Sequence, residues 1–196
     1  MHFEPNPAWK WHYDESRKRI VINLIHGSEE YVLVTDYNLS SFYECDRPAM
    51  DDVHFNVDDA TFFYTVIQKI QDLPYSNIEK IVLALHAVTG CRFFRKPMRG
   101  LSGVKNFSLL RRDPFVGEVF SLQDRESSSI GDVLVLEVSG SNALCMVLAT
   151  GLTVSGKTYR FHDLVVVSKE SFIPLYKMNE GLSSEIFALE EHRSCS

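Results

Sequence analysis

Trp9, Trp11 and Tyr13 alternate with Lys10 and His12, the period of two expected of a strand with one aromatic face. Asp14 to Lys18 supplies a polar turn. Arg19 to Ile25 then returns as a second strand and Tyr31 to Thr35 as a third, which together predict a small antiparallel sheet. The period next changes to that of helices. Phe62, Phe63, Val66, Ile67 and Ile70 form the apolar stripe of a helix running from about Asp59 to Asp72, with Asp58 placed to cap its first amides. Ser76 and Glu79 have the spacing of a capping box, and Ile78, Ile81, Val82, Leu85 and Val88 continue a second helix to roughly Phe94, ahead of Pro97.

Lys96 to Gly103 is rich in turn formers, and the helical period ends there. Short strand-like runs follow: Phe115 to Leu122, Asp132 to Val138, Ala143 to Ala149 and Thr158 to Val167, with Ser139 to Asn142 as a turn between two of them. The expected class is α+β. An N-terminal α/β domain over residues 1–100 precedes an antiparallel β-barrel-like domain with a C-terminal tail over residues 101–196.

The chain has 196 residues, 45% of them apolar, and a formal charge of −6, the profile of a soluble globular protein. An acidic chain lacks the field that draws nucleic acid or anionic lipid, so neither is an expected partner. No run approaches the ~20 apolar residues that cross a bilayer, and the N-terminus carries no signal-peptide pattern. Cys45, Cys91, Cys145 and Cys195 are widely separated and read as small buried apolar residues in a reducing compartment.

Residues Gly151 to Thr158 match the phosphate-binding loop pattern, with Gly151, Gly156, Lys157 and Thr158 at the required positions. Such a string arises by chance on the order of once per hundred chains of this length. The loop works only where a helix begins at its lysine, because helix amides and dipole meet the phosphate. Here Tyr159 to Ser168 is aromatic and β-branched, so the preferred reading is a turn at Ser155-Gly156 joining two strands. The alternative is a nucleotide-binding enzyme that needs Mg²⁺ and a further acidic ligand.

Arg92, Arg95, Lys96 and Arg99 recur at helical offsets and concentrate positive charge in an acidic chain. They read equally well as cations at a helix C-terminus or as a patch for an acidic protein surface. Trp9, Trp11 and Tyr13 beside Lys10, Arg17, Lys18 and Arg19 could make a stacking platform for single-stranded nucleic acid, although a half-buried aromatic strand is the simpler account. His54 with Asp58 and Asp59 offers a metal or proton-sharing trio without a matching second set of ligands. No hydrolase motif accompanies the remaining histidines.

The segment Pro7 to Glu15, Val57-Asp58-Asp59-Ala60, Cys91-Arg92-Phe93-Phe94, Asn142-Ala143-Leu144-Cys145 and Phe187-Ala188-Leu189-Glu190 occur in the same order as in the ZapC family, bacterial Z-ring-associated cell division proteins. Together they make the chain resemble that family over nearly its whole length. The resemblance implies a cytoplasmic two-domain monomer at the division site, α/β followed by a twisted β-barrel-like domain. It further implies binding to polymers of the tubulin-like GTPase FtsZ, lateral association of the filaments and lowered FtsZ GTPase activity, with no catalysis and no cofactor of its own. Ile22 and Arg95 match positions tied to partner contact in the family, and the matching turn carries arginine where Lys157 stands. Residues 100–118 and the tail after Glu191 depart from the family's pattern.

Overall fold

The computed structural model describes residues 4–38, 53–94, 100–108, 110, 112–127, 129–149 and 151–175. Strands β1 (Lys10–Asp14), β2 (Arg19–His26) and β3 (Glu29–Val34) form the expected antiparallel meander. A short strand β4 (Val53–His54) joins the far side, giving the order β3-β2-β1-β4. The period of two decides which face is buried: Trp11 lies opposite Ile22 on β2, and both are fully buried.

Helix α1 (Val57–Lys69) is capped by Asn56, not by Asp58. Asn56 Oδ1 accepts from the Asp59 amide at 2.9 Å, and Asp59 Oδ2 accepts from the Asn56 amide at 2.8 Å. The cap therefore lies two residues before the expected one, and a capping box closes it. Helix α2 (Asn77–Phe93) begins at the predicted box, with Ser76 and Glu79 exchanging side-chain and backbone bonds.

The second half forms an open sheet among the described residues, not a closed barrel. Strands β5 (Val119–Gln123), β6 (Ile130–Ser139), β7 (Asn142–Val147), β10 (Leu164–Ser168) and β11 (Ile173–Pro174) are ordered β10-β7-β6-β5-β11. Strands β8 (Leu152–Val154) and β9 (Lys157–Tyr159) pair with each other as a separate ribbon. The apolar run predicted as one strand from Thr158 to Val167 is thus broken at residues 160–163. There His162 takes a positive φ of 69° and its amide bonds to Val147 O.

Both faces of this sheet are buried, and alternate residues divide between two cores. Val133, Val135, Cys145, Val147, Val165 and Val167 pack with Leu152, Val154 and Phe172. Leu134, Leu136, Leu144, Met146 and Leu148 face the other way, into one continuous core with Trp9, Trp11, Phe55, Phe63 and helix α2. The apolar core therefore runs across residue 100, with α2 between the two sheets. Gly90 permits that approach: a Cβ there would stand 3.2 Å from Leu164 Cδ2 and from the Tyr37 hydroxyl.

Candidate functional site

Of the residues expected to meet a partner, Ile22 is fully buried on the inner face of β2, so its side chain shapes the sheet from within. Arg92, at the end of α2, is not a free surface cation. Its Nη1 donates to Asp59 Oδ2 at 2.6 Å, and its guanidinium lies 5.4 Å from the Trp11 ring centre and 6.0 Å from that of Phe93. It ties α2 to the first turn of α1 through the same carboxylate oxygen that closes the α1 cap. Arg95, Lys96 and Arg99 lie outside the described residues, as do Phe187 to Glu190 and the tail beyond.

Trp9 and Trp11 are both fully buried, which removes the stacking platform. Trp11 stacks on Phe55 with ring centres 4.4 Å apart and meets Phe93 edge-on at 5.3 Å, while its indole N–H donates to Thr89 Oγ1 at 3.0 Å. His54 is exposed and its Nδ1 contacts Pro7 O at 2.8 Å, whereas Asp59 is committed to Arg92 and the cap. That trio does not assemble. Cys91 and Cys145 are free thiols, and burial pushes the Cys91 thiol up to about 11 and that of Cys145 higher, so neither is a nucleophile at neutral pH.

The phosphate-loop string is a β-hairpin. Leu152 pairs with Tyr159 and Val154 with Lys157 around the two-residue loop Ser155-Gly156, whose φ angles of 49° and 74° are those of a type I′ turn. Lys157 Nζ sits over the Tyr159 ring, 4.6 Å from its centre. The amide of Ser155 already has an anion: it donates to Asp124 Oδ1 at 3.1 Å. Asp124 also accepts from the Ser127 hydroxyl and amide, both at 2.6 Å, and these bonds with that of Ser155 hold its carboxyl down to about 2. A protein carboxylate thus engages a backbone amide that a nucleotide-binding loop would turn to phosphate.

A cluster with no sequence signature lies where the halves meet. Asp36 follows β3, His86 is on α2, and His162 lies in the turn that separates β9 from β10. His162 Nδ1 is 2.6 Å from Asp36 Oδ2, and the two imidazoles stack with centres 3.7 Å apart and planes inclined by 16°. His86 Nδ1 lies 2.8 Å from Val82 O, so it donates and leaves Nε2 as an acceptor for the Asp36 amide at 3.2 Å. His162 Nε2 is buried without a hydrogen-bond partner. Beside the cluster a cavity of about 190 Å³ is lined by Asp36, Tyr37, Phe94, Lys157, Tyr159, His162, Asp163 and Leu164.

The ligand atoms of Asp36, His86 and His162 lie within 4.8 Å of one another, a donor set suited to zinc by residue type. The ring geometry opposes it. A coordinated metal lies in the plane of each imidazole, and nearly parallel planes a stacking distance apart do not meet at such a point. Only His86, His162 and Asp36 in three dimensions define the cluster; their separations of 50 and 126 residues leave no spacing to recognise.

Comparison with known proteins bears on the whole chain. The sequence profile described as "Cell-division protein ZapC, N-terminal" matches residues 2–95. A protein named Cell division protein ZapC from Aliivibrio salmonicida is 30% identical over 145 residues, covering 74% of this chain and 76% of the relative. Those of Tolumonas auensis and Proteus mirabilis are 22% and 24% identical, covering 91% and 93% of this chain and 96% of each relative. No helix among the described residues is long and apolar enough to cross a membrane.

Proposed function

Because the chain belongs to the ZapC family of cell division proteins, we propose that it is a non-enzymatic protein that binds polymerised FtsZ and braces neighbouring filaments. By stabilising the polymer over the free subunit it lowers FtsZ GTPase activity, an effect that requires only differential affinity. It acts as a monomer at midcell in the cytoplasm. The observation that carries this reading is the collinear similarity to cell division proteins across both halves of the chain. The hairpin at Gly151 to Thr158 supports it by removing the main reason to look for nucleotide chemistry in this chain.

On this proposal the partner surface lies on the N-terminal half, where Arg95, Lys96 and Arg99 present positive charge to an acidic face of the partner. Arg92 anchors the end of α2 that precedes them in sequence, and Ile22 packs inside the N-terminal sheet. Co-sedimentation with FtsZ polymers tests it. The pelleted fraction of both proteins should rise at low salt and fall as salt screens the contact. Charge reversal at Arg95, Lys96 and Arg99 should lower it without unfolding the chain. An absence of binding at low salt overturns the proposal.

A further inference from the structure

The cluster at the junction of the two halves contains groups that pack well only without added protons. His86 uses Nε2 to accept from the Asp36 amide, and a proton on that nitrogen breaks this bond and sets a second donor against the N–H, with the Asp36 carboxylate oxygen 3.6 Å away. His162 donates from Nδ1 to Asp36, and a proton on Nε2 creates a buried donor with no acceptor. Two imidazolium rings cannot remain face to face at 3.7 Å without strong repulsion. Water reaches the cluster from one side, because the Asp36 side chain is 64% exposed while those of His86 and His162 are 3% and 7% exposed.

We propose that Asp36, His86 and His162 form an acid-sensitive latch joining the two halves of the chain, closed when both imidazoles are neutral and opened by protonation. The opening is local. It separates the 160–163 turn from α2 and from the segment after β3, leaving the β1–β2 ladder in place.

The other ionisable groups facing the pair set its balance. Asp36 and Asp163 attract a proton to His162, and Asp36 does so for His86. Lys157, Tyr37 and Tyr159 line the same cavity, and the Lys157 charge opposes protonation. Burial outweighs the attraction: desolvation lowers both histidines, with the mutual repulsion of the rings adding to the fall at His86. Tyr37 closes the back of the cluster, its hydroxyl donating to His162 O at 3.2 Å, so movement of the turn also breaks a bond between the halves.

The test uses the full chain in EDTA, with histidine ring resonances and amide hydrogen exchange followed by NMR from about pH 8 to about pH 4. The Asp36 amide reports the latch and the His12 and Val21 amides report the ladder. Both ring resonances should titrate below the ordinary histidine range. Over the same interval exchange of the Asp36 amide, corrected for its intrinsic rate, should rise at least about tenfold while the ladder stays protected. The double variant His86→Gln, His162→Asn keeps an acceptor for the Asp36 amide and a donor for its carboxylate, and should show no such rise. Should that variant fail to fold, Asp36→Asn gives the second reading, moving both titrations to lower pH through the lost attraction. Ordinary histidine titrations, flat exchange at Asp36, simultaneous loss of the ladder, or a titration displaced by added zinc would each overturn the latch.

Discussion

Helix α2 carries two buried polar clusters less than two turns apart, and they treat charge in opposite ways. At Arg92 a guanidinium is kept ionised between the Asp59 carboxylate and aromatic faces, with side-chain exposures of 28% and 7% for the two partners. At His86 two imidazoles are stacked and charge is kept out. The difference follows from chemistry. Arginine cannot lose its proton in a protein and must be given a partner, whereas histidine escapes the cost of burial by staying neutral. One cluster is a permanent clamp between α1 and α2; the other holds the halves together in a way that depends on pH.

The strongest test of the contrast removes one side of the clamp. Arg92→Leu leaves the Asp59 carboxylate buried with only the Asn56 amide, and should cost about 3 kcal/mol of stability, read from denaturant unfolding. Adding Asp59→Asn to it should recover part of that loss, because Asn keeps the cap and removes the stranded charge. If Arg92→Leu is neutral, the pair is no clamp. Its loss should also be nearly independent of pH between about 5 and 8.

The His86 cluster should contribute a pH dependence of similar size. Its folded pKa of about 4 lies below the ordinary 6.5, so the unfolded state binds protons first. Stability is therefore full above about pH 6.5 and falls as pH drops toward 4, by about 3 kcal/mol in all. Unfolding at a series of pH values should show that slope, and His86→Gln should flatten it. A slope unchanged by the variant would assign the pH dependence elsewhere.

Smaller effects sharpen the distinction. Thr89→Val removes the acceptor of the Trp11 indole in the space between the two clusters and should cost about 1–2 kcal/mol. Lys157→Ala should change stability by less than about 0.5 kcal/mol. It should also leave any weak nucleotide affinity, followed by calorimetry, unaltered, since the residue covers Tyr159 at a hairpin end and lines the cavity beside His162. A large loss of stability or of nucleotide binding would reopen the phosphate-loop reading.

The elements that could be read from the chain are those set by neighbours in sequence. The aromatic alternation at Trp9 to Tyr13, the capping box at Ser76 and the Ser155-Gly156 turn each depend on a few adjacent residues, and all three formed as expected. The cap of α1 shifted from Asp58 to Asn56 because Asp59 alone can complete a reciprocal box. The strand expected over Thr158 to Val167 divided because the 160–163 turn answers to Val147 and Asp36 in space, a demand invisible in an apolar run.

Local pattern thus determined both helices, most of the strands and the hairpin fate of the Gly151 to Thr158 string. Tertiary structure alone decided that Arg92 is paired with Asp59, that Ile22 and both tryptophans are buried, and that Asp36, His86 and His162 meet. The reason lies in range. Backbone periodicity and capping act over a few residues, but burial and the pairing of charge depend on which distant segments share a core, and here α2 is packed between two sheets drawn from opposite ends of the chain.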